Sequence, residues 1–302
     1  MRRSVCRRGA RPVSRAIAES TRAVAQVVMT CAAIAGTSVA AQQPVDPVTR
    51  LGDYVQSYYS KARSIVTEET VVVQPLQSDM TAAGFPRRAV YELRVEWNPD
   101  APTPGERATA VRQLLKEAGP AIYDKGEERC ADPPLITPEP LSFLLPDNRA
   151  EWKFAMGRPE RLEGRPAMTL EYSLRQSHPA RVTEKECLFT DLTGQTVGRL
   201  WADPATAEIF RIDEHLKGLV DIKVPKEWWQ RGRPREITFE QLNSSVRYKR
   251  VAFTDPPEDL LLPVSIETVH VHRSDTGAAS RLRITHSYAN YRRFVTGSRL
   301  IP

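Results

Sequence analysis

Val48, Leu51, Val55, Tyr58, Ala62 and Ile65 recur at spacings of three and four, which places them on one stripe of an α-helix. Asp46-Pro47 stands just ahead of the stripe and supplies a cap and a first-turn proline. The spacing predicts an amphipathic helix over Val48–Ile65. A second helix is predicted over Gly105–Ala118, with Ala108, Val111, Leu114 and Leu115 inward and Gly119-Pro120 ending it. Elsewhere the period is two. Tyr91, Leu93, Val95 and Trp97 alternate with charged residues, and Met168, Leu170, Tyr172 and Leu174 share one face of another strand. Val220/Ile222/Val224, Val264/Ile266 and Leu282/Ile284 repeat the pattern. Gly157-Arg158-Pro159, Gly164-Arg165-Pro166, Asp203-Pro204 and Asp275-Thr276-Gly277 supply turns. The fold class expected is mainly β with two helices: a curved antiparallel sheet covered by the N-terminal helix.

The segment 131–146 breaks both periods, with five prolines in sixteen residues, and reads as neither a helix nor a central strand. Its interleaved Leu135, Ile136, Leu141, Phe143, Leu144 and Leu145 mark it as an insertion packed over the core. One β-rich domain over 42–302 is therefore expected.

Composition changes the picture mainly at the N-terminus. The 302 residues carry 43 basic and 37 acidic side chains, a net charge of +6. Seven arginines against the single acid Glu19 fall within residues 1–41, so the remainder balances to zero. A neutral body lacks the positive field that nucleic-acid binding needs, and no nucleic acid is expected as partner. The arginine-rich start leads into the apolar stretch Ala23–Ala35, and Ser38-Val39-Ala40-Ala41 offers small-x-small cleavage positions. This is the layout of a secretory signal peptide over 1–41, cut near Ala40/Ala41, with a periplasmic or secreted product. At ~1.5 Å per residue the apolar stretch spans about 20 Å, short of a ~30 Å hydrocarbon core.

Removal of that leader leaves two cysteines, Cys130 and Cys187. An oxidising compartment makes this pair a disulfide candidate, closing a loop that restrains the unfolded chain by roughly 4 kcal/mol.

The segment Gly198-Arg199-Leu200-Trp201-Ala202-Asp203-Pro204 through Ile209-Phe210-Arg211-Ile212 is a strand–turn–strand. It resembles that of LolA-like lipoprotein carriers and RseB-type sensor domains. The C-terminal Tyr291–Phe294 segment is similar to that of other secreted bacterial proteins of this type. The resemblance implies an unclosed half-barrel whose apolar inner face holds acyl chains beneath a helix. It carries no catalytic residue.

Enzymatic signatures are missing: there is no Gly-rich phosphate loop, HExxH, CxxC or calcium loop in the sequence. No cofactor is expected. Glu68-Glu69, Glu127-Glu128 and Asp213-Glu214 are neighbours in sequence, so on strands they point to opposite faces and make poor catalytic pairs. His270 and His272 share a face, and His286 lies on the following strand. A hairpin symmetric about Gly277 would set position 270 opposite 284 and bring His286 diagonal to His270, a candidate metal cluster. Histidines lining a semi-polar sheet surface are the plainer alternative.

The run 223–235 gathers five basic residues around Trp228-Trp229 against Glu227 alone. Tryptophan within a basic loop suits a membrane headgroup region or a partner protein. Trp228, Trp229, Arg231 and Arg233 are candidate surface contacts.

Three functions follow. The first is an exported, non-enzymatic binding protein holding an apolar ligand or lipidated partner, with Tyr91, Leu93, Val95, Met168, Leu170 and Tyr172 as candidate ligand-binding residues. The second is a secreted metal-dependent hydrolase built on His270, His272 and His286. The third is an envelope interaction or sensor module, contacting a protein or membrane surface, with no small ligand.

Overall fold

The computed structural model describes residues 46–62, 64–98, 108–119, 140–184, 188–226, 234–254 and 257–293. Helix α1 (Pro47–Lys61) starts where the sequence places its cap: the Asp46 carboxylate accepts the Thr49 N–H at 3.1 Å, and Pro47 occupies the first turn. Leu51, Val55, Tyr58 and Tyr59 are its buried face. The helix stops short of the expected Ile65, with the Ala62 N–H donating to Tyr58 O at 2.9 Å. The β-branched run Ile65-Val66-Thr67 pulls the chain into strand β1 (Ser64–Pro75).

Next come β2 (Arg87–Trp97) and β3 (Ala108–Ala118). A single-turn 3-10 segment, Ser142–Leu144, and a short helix α2 (Pro146–Arg149) precede β4 (Trp152–Met156), β5 (Glu160–Leu162) and β6 (Arg165–Leu174). Strands β7 (Arg181–Glu184) and β8 (Leu188–Asp191) form a separate hairpin. The chain closes with β9 (Thr196–Ala202), β10 (Ile209–Leu216), β11 (Val220–Lys223), β12 (Glu236–Thr254), β13 (Pro257–Ser274) and β14 (Ala279–Arg293). The main sheet runs β3-β2-β1-β14-β13-β12-β10-β9-β6-β4, with β11 added beside β12 and β5 beside β6. Strands β3 and β4 end the order without meeting, so the sheet is an open half-barrel. The expected mainly β class with a covering helix is what the chain forms. No helix among the described residues is long and apolar enough to cross a membrane.

The pairing sets up one continuous belt across the sheet. Ala89, Val71, His286, Ile266, Val246, Ile212, Leu200 and Leu170 are successive register partners from β2 to β6, and all eight are buried. Paired residues point to the same side, so this belt defines the inner face against which α1 packs. Leu141, Phe143, Leu144 and Leu145 join that core from beside α1. Leu144 O lies 2.8 Å from where a β-carbon on Gly52 would sit, so the helix approaches this turn on a bare backbone. At the start of α1, Arg50 donates to Pro204 O and Ala205 O at 3.1 and 2.7 Å, tying the helix to the β9–β10 turn.

Two expectations are corrected. Residues Ala108–Ala118 are strand β3 and no helix, paired along the whole of β2. The residues assigned to a buried helix face are exposed: Val111, Leu114 and Leu115 are 56%, 49% and 56% exposed. Pairing to an open strand edge outweighs helical spacing, since propensity is a weak prior against tertiary contact. The second correction is the β13–β14 register. Ser274 N–H donates to Ala278 O at 2.8 Å and Gly277 takes φ 85°, which makes a three-residue loop ending in a left-handed glycine. The hairpin is then centred on Thr276, and His270 pairs with Leu282 while His286 pairs with Ile266.

Candidate functional site

An apolar cavity of about 70 Å³ lies between α1 and the inner face. Tyr58, Tyr59 and Ala62 wall it from the helix side, Leu93, Val95, Trp97 and Ala110 from β2 and β3, and Ile266, Tyr288 and Tyr291 from β13 and β14. Tyr59 stacks on Trp97 with ring centroids 4.0 Å apart. The Tyr291 hydroxyl donates to Pro263 O, and both residues line the cavity. Burial pushes the Tyr58, Tyr288 and Tyr291 phenols well above their ordinary range, so these walls stay uncharged.

The six residues expected to line one ligand face are divided by the fold. Leu93 and Val95 line the cavity. Tyr91 instead packs with Val71, Val73 and Ala89, its ring under the Arg112 guanidinium at 4.8 Å. Met168, Leu170 and Tyr172 lie on β6, seven strand positions away in the sheet order. They belong to the packed core there, with Tyr172 stacked on Phe143 at 4.1 Å.

A charged cluster stands beside the cavity. Glu69 on β1 receives two hydrogen bonds from Arg112 on β3, Nε to Oε2 at 2.7 Å and Nη2 to Oε1 at 3.0 Å. His286 Nδ1 meets Glu69 Oε1 at 2.8 Å. The Glu69, His286 and Arg112 side chains are 1%, 1% and 8% exposed. Burial alone would raise the Glu69 carboxyl, but the His286 hydrogen bond and the charge and hydrogen bonds of Arg112 hold it below its usual range. Sequence reading passed over this cluster. The one signal available was alternation: Thr67, Glu69, Val71 and Val73 share a parity in β1, so a carboxylate stood among core positions.

Beyond the Ile266–His286 pair the inner face opens into a second hollow of about 430 Å³, which α1 does not line. Thr268 and His270 of β13, His286 of β14, Leu242 and Phe239 of β12, Glu214 of β10 and the segment Asp191–Thr193 with Thr196 line it. Burial, then the neighbouring His272, lowers His270 to about 4, so its ring is neutral at pH 7. Burial also lowers His272. The two rings meet edge to face at 5.6 Å, and His272 leans on Phe239 at 5.4 Å. His270 Nε2 and His272 Nδ1 are buried with no hydrogen-bond partner. Glu214, raised by burial, accepts the Tyr172 hydroxyl at 2.8 Å.

The expected convergence of His270, His272 and His286 does not form. The true register separates His286 from His270 by two further residues, and His286 is engaged by Glu69. Among the described residues no three His, Cys, Asp or Glu side chains gather as a metal set.

No family model matches the chain, and no curated protein does. Solved structures do resemble it. A domain from Vibrio parahaemolyticus described as outer-membrane lipoprotein sorting aligns at 7% identity and TM-score 0.38, over 83% of this chain and 94% of that one. A DUF1329 family protein from Desulfovibrio piger aligns at 10% identity and TM-score 0.36, over 85% and 95%. A LolA superfamily protein from Nitrosomonas europaea aligns at 10% identity and TM-score 0.31, over 82% and 96%. At such scores, function rests on this chain's own geometry.

The leader over 1–41, the cysteines Cys130 and Cys187, and the contact residues Trp228, Trp229, Arg231 and Arg233 lie outside the described residues.

Proposed function

We propose that this chain is an exported binding protein that takes an apolar chain, free or on a lipidated partner, between α1 and the inner sheet face. One observation carries the reading: the space between helix and sheet is walled by rings and aliphatic groups, and an open hollow lies farther along the same sheet face. Leu93 and Val95 contact the chain, while Met168, Leu170 and Tyr172 support the sheet from its far end.

The cavity must enlarge to work. An engineered cavity of about 150 Å³ just admits benzene, and this one holds less than half of that. Tyr58 and Tyr59 sit on the helix side, so a small outward movement of α1 widens the space without breaking any strand pairing. The helix acts as a lid held at its start by Arg50 and at its middle by Leu144.

Native mass spectrometry of the mature protein with octyl, decyl and dodecyl glycerides tests this. A one-to-one adduct is expected, tightening roughly fourfold per methylene as each buries about 0.8 kcal/mol of apolar surface. Absence of any adduct, or affinity independent of chain length, contradicts the reading.

A further inference from the structure

The open hollow beside the cavity has a chemistry of its own. From Ile266, the cavity wall, every second residue of β13 faces the same way: Thr268, then His270. Strand rise puts these about 7 and 13 Å beyond Ile266, the reach of a polar head joined to a chain lodged under α1. His270 brings a buried ring nitrogen, Nε2, that has no partner. Thr193, Thr196 and Thr268 line the same space; the Thr196 hydroxyl donates to Thr193 O at 3.1 Å and the Thr268 hydroxyl to Ser244 Oγ at 3.4 Å, which leaves both oxygens as acceptors.

Charge narrows the choice of ligand. Among the described residues lining the hollow there is no lysine or arginine, while Asp191 and Glu214 are both present. A phosphate or carboxylate head would meet carboxylates and neutral imidazole with no cation to receive it. Asp191 is turned to its own backbone, accepting the Thr193 N–H at 2.9 Å, and Glu214 accepts Tyr172. What remains is a set of neutral donors and acceptors. That set suits a hydroxyl-bearing head.

Resting on the carrier reading above, we propose that the hollow lined by Thr268, His270 and Glu214 is a head-group subsite selecting uncharged, hydroxyl-bearing amphiphiles over anionic ones.

The test is calorimetric titration of the folded mature protein with four dodecyl compounds of equal chain length, each below its micelle concentration: the monoglyceride, the phosphate, the carboxylate and the trimethylammonium. The monoglyceride should bind at least tenfold tighter than either anion, and His270→Ala should reduce that preference to under threefold while dodecyl binding persists. His270→Gln, which keeps a neutral hydrogen-bonding group, should retain most of the preference. Circular dichroism shows whether each variant keeps its strands; if His270→Ala unfolds, Thr268→Val carries the same prediction. Equal binding of all four compounds overturns the subsite and leaves the carrier reading standing. Tighter binding of an anion, or of the ammonium, likewise overturns it. Binding of none overturns both readings together.

Discussion

Glu69 Oε1 lies 2.8 Å from His286 Nδ1, across 217 residues of sequence, with both side chains 1% exposed. Arg112 closes the cluster from the edge strand β3, so three strands of the inner face meet on a single carboxylate. A carboxylate so placed is costly alone and tolerable only when all its acceptors are filled. The Glu69→Gln change therefore removes the buried carboxylate charge that faces the Arg112 guanidinium and should lower stability by about 3–5 kcal/mol. Combining it with Arg112→Met should recover a large part of the loss, because both buried charges are then gone. Urea unfolding of the two variants decides this, and a Glu69→Gln loss below about 0.5 kcal/mol contradicts it.

The same carboxylate sets an acid limit. Its folded value is held below the ordinary 4.5, so it contributes stability above that pH and loses the contribution as pH falls through the lowered value. Unfolding midpoints of the wild type should drop as the pH falls below 4.5, while the Glu69→Gln/Arg112→Met pair should be flatter there.

His270 gives a second, separate window. Its folded value is about 4 against an ordinary 6.5, so between those limits the unfolded chain takes up a proton that the folded chain refuses. Stability then falls as pH drops from 6.5 to 4, by roughly 1–3 kcal/mol given partial exposure. His270→Asn should remove that slope. A variant as pH-sensitive as the wild type would refute the assignment.

Ala110 faces the cavity from the edge strand, where a larger side chain meets little resistance. Ala110→Leu adds three carbons to a space of about 70 Å³, enough to occupy it. Dodecyl monoglyceride binding should weaken at least tenfold while the thermal midpoint stays level or rises. A variant that binds as before would place the chain elsewhere.

Gly52 tests the seating of the lid. A β-carbon there would meet Leu144 O at 2.8 Å, so Gly52→Ala should lift α1 at a cost of roughly 1–3 kcal/mol. Limited proteolysis should then cut within α1 faster than in the wild type, with the strands still protected. Unchanged cleavage would show the contact to be slack.

How much of this could be read from the chain alone follows the range of the forces involved. Helix α1 and most strands were legible because a cap, a proline and a one-dimensional period are local. Strand β3 was not: Val111, Leu114 and Leu115 carry a helical spacing, and what overrides it is the edge of β2 and the carboxylate of Glu69. The histidine geometry failed over two residues, because Gly277 closes the β13–β14 loop at its end and not at its centre. Four of the six candidate ligand-face residues lie away from the cavity for a similar reason. Tyr91 and Leu170 share a pattern, but strand order alone decides that they sit far apart, and strand order is not written in any single segment.

The central claim is that an apolar chain lodges between α1 and the inner face. A dodecyl glyceride carrying a diazirine at the chain end, bound, irradiated and mapped by peptide mass spectrometry, tests it most directly. Labels should fall on Tyr58, Tyr59, Leu93, Val95 or Trp97, and an excess of unlabelled glyceride should suppress them. Labels confined to the outer face, or spread over the surface without competition, would contradict the account.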